Sequence, residues 1–147
     1  MMHSGQCLCG QVRFTIEAEP KGARCCWCRD CQRIASGSPT VNVLFDEAAV
    51  TYSGEMTRLE LIADSGNRVE RGFCPRCGSQ MYSKTVEPAG MPIRVRAGTL
   101  DDPEIMPPSA LIWIDSAPTW ATLDPALPWH TKGPDSPLVD GARKREH

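Results

Sequence analysis

The chain has 147 residues, a net charge of −2 and an aromatic content of only 6%. That length suits one domain, the acidic balance gives no electrostatic grip on a nucleic-acid backbone, and no apolar run approaches the roughly 20 residues that a membrane span requires. With 13 prolines and 12 glycines, the composition favours turns and short strands over long helices. The opening segment MMHSGQCLCG holds no apolar stretch of the secretory type. A cytoplasmic protein is expected, in which the eight cysteines stay reduced and serve metal binding or catalysis rather than disulfides.

In chain order, Val12, Phe14 and Ile16 alternate with polar residues and predict a half-buried strand. Arg29 to Ser36 is the one helical stretch, about two turns long, with Gly37 placed to end it. Alternation returns at Val41–Phe45, Thr57–Leu61 and Ile93–Ala97, and Leu111-Ile112-Trp113-Ile114 reads as a short buried strand. Ser53-Gly54, Ser65-Gly66-Asn67, Pro88-Ala89-Gly90 and Pro107-Pro108 punctuate these runs as turns. Many short strands between turns make a mainly β domain over residues 1–130. From Thr131 to His147 the chain is polar and rich in Pro, Gly and charge, which reads as a flexible C-terminal tail.

The cysteines fall into three groups: Cys7 and Cys9; Cys25, Cys26, Cys28 and Cys31; Cys74 and Cys77. Cys74-Pro75-Arg76-Cys77-Gly78 sets two thiolates around a tight turn, and Gly78 permits the positive φ that such turns use. Cys7-Leu8-Cys9 puts two more on one side of an extended segment. Neither pair fills a tetrahedral zinc shell, but together they make a closed, structural four-cysteine site. Cys26, Cys28 and Cys31 supply three thiolates within six residues, near the start of the short helix, whose positive end favours them. Three protein ligands with one open position is the pattern of a reactive zinc. Cys25 is a candidate fourth ligand, although neighbouring side chains of an extended segment point apart.

A zinc ion on three thiolates is a weak Lewis acid, better suited to holding an incoming thiol than to hydrolysis. A free thiol is only a few per cent ionised at pH 7, and metal coordination deprotonates it. A thiolate held beside a small aldehyde is then set up for addition to the carbonyl. Residues 1–98 hold twelve Lys/Arg against ten Asp/Glu, whereas Thr99–Ala142 offers Lys132 alone against seven acids. The thiolates therefore lie in the more basic part, with Arg24, Arg29, Arg33, Arg71 and Arg76 close by in sequence and able to offset their charge.

The sequence resembles the glutathione-dependent formaldehyde-activating enzyme family, which includes centromere protein V. The matching residues are Gly5-x-Cys7-x-Cys9-Gly10-x-Val12-x-Phe14, Cys26-x-Cys28-x-x-Cys31, Phe73-Cys74-x-x-Cys77-Gly78 and Ala97-Gly98-Thr99-Leu100-Asp101-Asp102-Pro103, followed by Trp113, Ser116 and Trp120. The resemblance implies a β-tent fold of several small coiled antiparallel sheets stapled by zinc, with at most short helices. It implies two zinc ions per chain: a structural one on Cys7, Cys9, Cys74 and Cys77, and a second on Cys26, Cys28 and Cys31, where the thiol of glutathione would bind. The activity ascribed to the family is formation of S-(hydroxymethyl)glutathione from glutathione and formaldehyde, a carbon–sulfur lyase chemistry. Trp27 stands where a histidine is common in the family, Leu111 where many relatives have histidine, and Ala117 where a basic residue is usual. These departures spare every metal ligand and bear on the substrate, because they replace polar positions expected near the pocket.

Three function classes remain: an enzyme joining a thiol to formaldehyde or another small aldehyde, a non-catalytic thiol carrier, and a zinc protein associated with nucleic acid. The acidic balance and the lack of a basic-aromatic stripe weigh against the last. Trp113, Trp120 and Trp129 are read as packing residues, His3 and His130 as non-ligands, and Asp101-Asp102-Pro103 as a turn rather than a general base.

Overall fold

The structure is a computed structural model, and it describes residues 2–141 and Lys144. Strands dominate. β1 (Met2–Gln6), β2 (Arg13–Glu17) and β5 (Val50–Ser53) form a three-stranded antiparallel sheet in the order β1-β2-β5. The larger sheet has seven strands. These are β3 (Gly22–Cys26), β4 (Thr40–Phe45), β6 (Thr57–Ile62), β7 (Arg68–Phe73), β8 (Gln80–Glu87), β9 (Ile93–Arg96) and β10 (Leu111–Ile112), in the order β10-β3-β4-β9-β8-β7-β6. All its pairings are antiparallel except β10 with β3, which is parallel. The expected mainly β architecture with short helices holds, with one parallel edge pairing that alternation cannot reveal.

The predicted helix forms as α1, covering Arg29–Ile34. It stops two residues before the predicted end because Ser36 and Gly37 both take positive φ, and Gly37 N–H closes back on the Gln32 carbonyl at 2.7 Å. The predicted strand 111–114 is cut to two residues, since Trp113 sits in the left-handed region at φ 62° and a 3-10 turn follows over Ile114–Ser116.

One apolar core lies between the sheets. Val12, Phe14 and Ile16 face Val43, Phe45, Met81, Ile93 and Val95, which are almost entirely buried. Close approach here explains one glycine of the sequence motif: a Cβ on Gly5 would lie 2.2 Å from the Thr99 carbonyl oxygen and 2.3 Å from the Phe14 ring. A second core gathers Trp27, Leu111, Ile114, Leu123, Trp129 and Val139. Residues 131–141, whose polar composition reads as a loose tail, run back along this second core. Val139 is buried and its N–H bonds the Trp129 carbonyl, while Lys132 accepts from Trp113 N–H at 2.8 Å. The anchor is Val139, the buried member of a Leu138-Val139 pair in an otherwise polar stretch, which composition passes over. No helix among the described residues is long and apolar enough to cross a membrane.

Candidate metal centres and their cavity

Two turns carry the first cysteine group. The turn after β1 is closed by Cys7 N–H to Val12 O and Gly10 N–H to Cys7 O; the turn after β7 is closed by Cys74 N–H to Ser79 O and Gly78 N–H to Cys74 O. Each needs a left-handed residue at its end, supplied by Gly10 at φ 80° and Gly78 at φ 79°. The turns meet, and the four sulfurs of Cys7, Cys9, Cys74 and Cys77 lie within 4.8 Å of one another. Cys9 Sγ is 3.6 Å from Cys7 Sγ and 3.8 Å from Cys74 Sγ. A tetrahedral ion with metal–sulfur bonds of about 2.3 Å needs sulfurs about 3.8 Å apart. The donor set and its spacing therefore fit a metal. Ser79 ties the turns together further, accepting from Leu8 N–H at 2.9 Å and contacting Cys77 Sγ at 3.2 Å. The Ser79 hydroxyl, and after it the Ser79 backbone, hydrogen-bond Cys77 and hold its thiol down to about 5. Because β1 and β7 belong to different sheets, this cluster joins the two sheets.

The second group sits where β3 runs into α1. Cys26 ends the strand, Cys28 caps the helix with its sulfur accepting from Cys31 N–H at 3.3 Å, and Cys31 lies in the first turn. All three are buried, with sulfurs within 4.8 Å of one another. No fourth His, Cys, Asp or Glu joins them among the described residues. Thiol hydrogen bonds from Cys26 and Cys28, a 3.0 Å bond from Thr40 Oγ1 and the Arg96 charge pull Cys31 down to about 2, while bonds with Cys28 and then Cys31, with burial, push Cys26 well up. Cys25 points to the other side of β3, against the second core beside Trp27 and Leu111. It is not part of the cluster.

The three sulfurs open into a cavity of about 160 Å³. Its floor is one face of the large sheet, carrying Arg24, Asn42, Arg71, Arg94 and Arg96, and its rim is the 63–67 turn, Trp113 and Gly133-Pro134. Of the arginines close to cysteines in sequence, Arg24 and Arg71 line this space; Arg29, Arg33 and Arg76 do not. Arg94 and Arg96 were missed because they occupy the polar positions of an alternating strand, which reads as a solvated face. Trp113, read as packing, forms part of the wall, whereas Trp129 is buried in the second core and Trp120 is exposed. Trp27, Leu111 and Ala117 correct a further expectation: all three pack in or on the second core, and none lines the cavity.

The remaining candidates resolve as structural. Asp101 accepts from Ser4 Oγ at 2.6 Å and Asp102 from Glu104 N–H at 2.9 Å, as turn residues do. His3 and His130 join neither cysteine cluster.

A mainly β chain with one four-cysteine cluster joining its sheets and a three-cysteine cluster opening into a basic cavity has two donor sets that could hold metal ions. It belongs to the glutathione-dependent formaldehyde-activating enzyme family, whose model matches residues 2–116. A Rhodobacter sphaeroides protein, solved by crystallography as a structural genomics target, is similar in fold, with a TM-score of 0.54 and 18% identity over 67% of this chain and 87% of that one. No curated protein matches the chain.

Proposed function

We propose that Cys7, Cys9, Cys74 and Cys77 hold a structural zinc, and that Cys26, Cys28 and Cys31 hold a second zinc in a site that adds a thiol, glutathione or a similar one, to formaldehyde or another small aldehyde. The observation that carries this reading is the convergence of three buried sulfurs on a cavity with no fourth protein ligand among the described residues. All-sulfur donors favour zinc over harder ions. When bound, that zinc supplies an open coordination position for a soft ligand and a charge that keeps a thiol deprotonated.

The chain's own residues do the rest. Thr40 and Arg96 stabilise the Cys31 thiolate by a hydrogen bond and by charge. Ile112, Val69 and Trp113 give the cavity apolar walls that limit water beside the carbonyl carbon. The net reaction forms one carbon–sulfur bond, and the thiol proton ends on the former carbonyl oxygen, so no oxidant or reductant enters. Cleavage of the adduct is the same path reversed, hence the lyase class. The cytoplasm is the compartment proposed, and small molecules rather than nucleic acid or membrane are the partners.

Exchange spectroscopy on the zinc-loaded chain with thiol and formaldehyde tests this. Adduct formation should run above the uncatalysed rate and return to it in Cys28→Ser, with the fold retained. Cysteine-dependent thiol binding without acceleration would make the protein a carrier, and the enzyme reading would fall.

A further inference from the structure

The cavity floor carries groups that thiol addition alone leaves unused. Cross-strand register sets Arg24, Asn42 and Arg96 in one row and Arg94, Ser83 and Arg71 in the next. Four guanidinium groups thus share the sheet face that lines the cavity with Cys26, Cys28 and Cys31. Like charges crowded in a partly buried space oppose one another; burial, then Arg96, Arg24 and Arg71, bring Arg94 down to about 10.

Protein anions answer only part of this charge. Asp30 reaches Arg71 Nη2 at 3.5 Å, Asp135 acts on Arg24, Asp64 stands at the rim, and the thiolates face Arg96. Arg94 bonds Ser83 and Thr85, and Arg96 Nη1 bonds Asn42. Yet Nε and Nη1 of Arg71 and Nε of Arg96 have no partner, although both side chains are more than nine-tenths buried. Buried donors without acceptors are costly, and they are a common mark of a place prepared for a ligand.

We propose that this arginine face is an anion seat, and that the thiol accepted by the site carries a carboxylate or sulfonate a few bonds from its sulfur. The inference rests on the thiol-binding reading above and narrows its substrate class.

Calorimetric titration of the zinc-loaded full chain with 2-mercaptoethanol and 2-mercaptoethanesulfonate separates the contributions, since the two thiols differ chiefly in the anion. The sulfonate should bind at least tenfold more tightly, and inorganic sulfate should erode that margin. Arg94→Gln should cut the margin severalfold and Arg94→Lys restore part of it. Arg24→Gln, at a half-buried position of the floor and milder for folding, should reduce it as well. Equal affinities for the two thiols would overturn the anion seat while sparing the thiol site. A sulfonate preference untouched by all three substitutions would also overturn it. Failure of both thiols to bind would overturn the thiol reading itself.

Discussion

Replacing Cys74 by Ser removes one sulfur from the sheet-joining cluster and leaves the open cluster intact. Cys74 is fully buried, and its sulfur faces that of Cys9, 65 positions earlier. Cross-linking a loop of about 65 residues constrains the unfolded chain by about 4 kcal/mol on the polymer estimate used for disulfides. That figure is a floor for a metal clip, because structural zinc in small peptides binds with roughly 10–16 kcal/mol against a domain stability of about 5–15 kcal/mol. At roughly 2–4 °C per kcal/mol for a domain near this size, the variant should melt about 8–16 °C lower, or not fold at all. Circular dichroism melts with parallel zinc analysis make the measurement. Cys28→Ser is the control: it should also lose one ion, yet melt within a few degrees of the parent. A Cys74→Ser protein that loses its zinc and melts with the parent would refute the idea that this cluster holds the sheets together.

Gly5→Ala drives a Cβ into the Thr99 carbonyl and the Phe14 ring and should cost about 3 kcal/mol in urea unfolding; a change under about 0.5 kcal/mol would mean that β1 shifts freely. Ending the chain before Thr131 strips Val139 from the second core and Gly133-Pro134 from the cavity rim. The loss of Val139 burial alone should lower stability by about 2 kcal/mol, and a truncated chain as stable as the parent would refute the packing of residues 131–141. The Tyr82 hydroxyl is pushed up to about 12 by burial and by its bond to Glu70. A raised folded value means full stability below about pH 10, the usual tyrosine value, and loss as pH rises towards 12. Denaturant midpoints should therefore fall between pH 10 and 12, less so in Tyr82→Phe; identical slopes in the two proteins would refute this.

Alternating strands were legible in the sequence: β2, β4, β6 and β9 fall where alternation places them, although β6 is exposed along its whole length and β4 is buried along nearly all of its own. β8, the longest, was not, because Met81, Tyr82 and Ser83 are all buried in succession and its pairing with β7 shifts register near Gly72. Without a period of two there is nothing to count. The cysteine groups were readable because ligand spacing is a local property, and Cys25 was separable from Cys26 by the same parity. The arginine floor was not, since Arg24, Arg71, Arg94 and Arg96 come from three distant strands. The hint was Arg94-Val95-Arg96 itself: two long cations inside a strand flanked by apolar residues need an interior reason to be there.

That strand is sandwiched between dry and charged interiors, with Ile93 and Val95 turned one way and Arg94 and Arg96 the other. Adding or deleting a single residue in it would swap the two sets, sending guanidinium groups among Phe45 and Val43 and greasy side chains into the cavity. Ordinary sheets tolerate such a slip by showing solvent a few apolar groups; here neither side is solvent. A change of length should therefore be tolerated in the connecting turns and not in β9, which works as a gauge that fixes the alignment of β4 and β8 beside it.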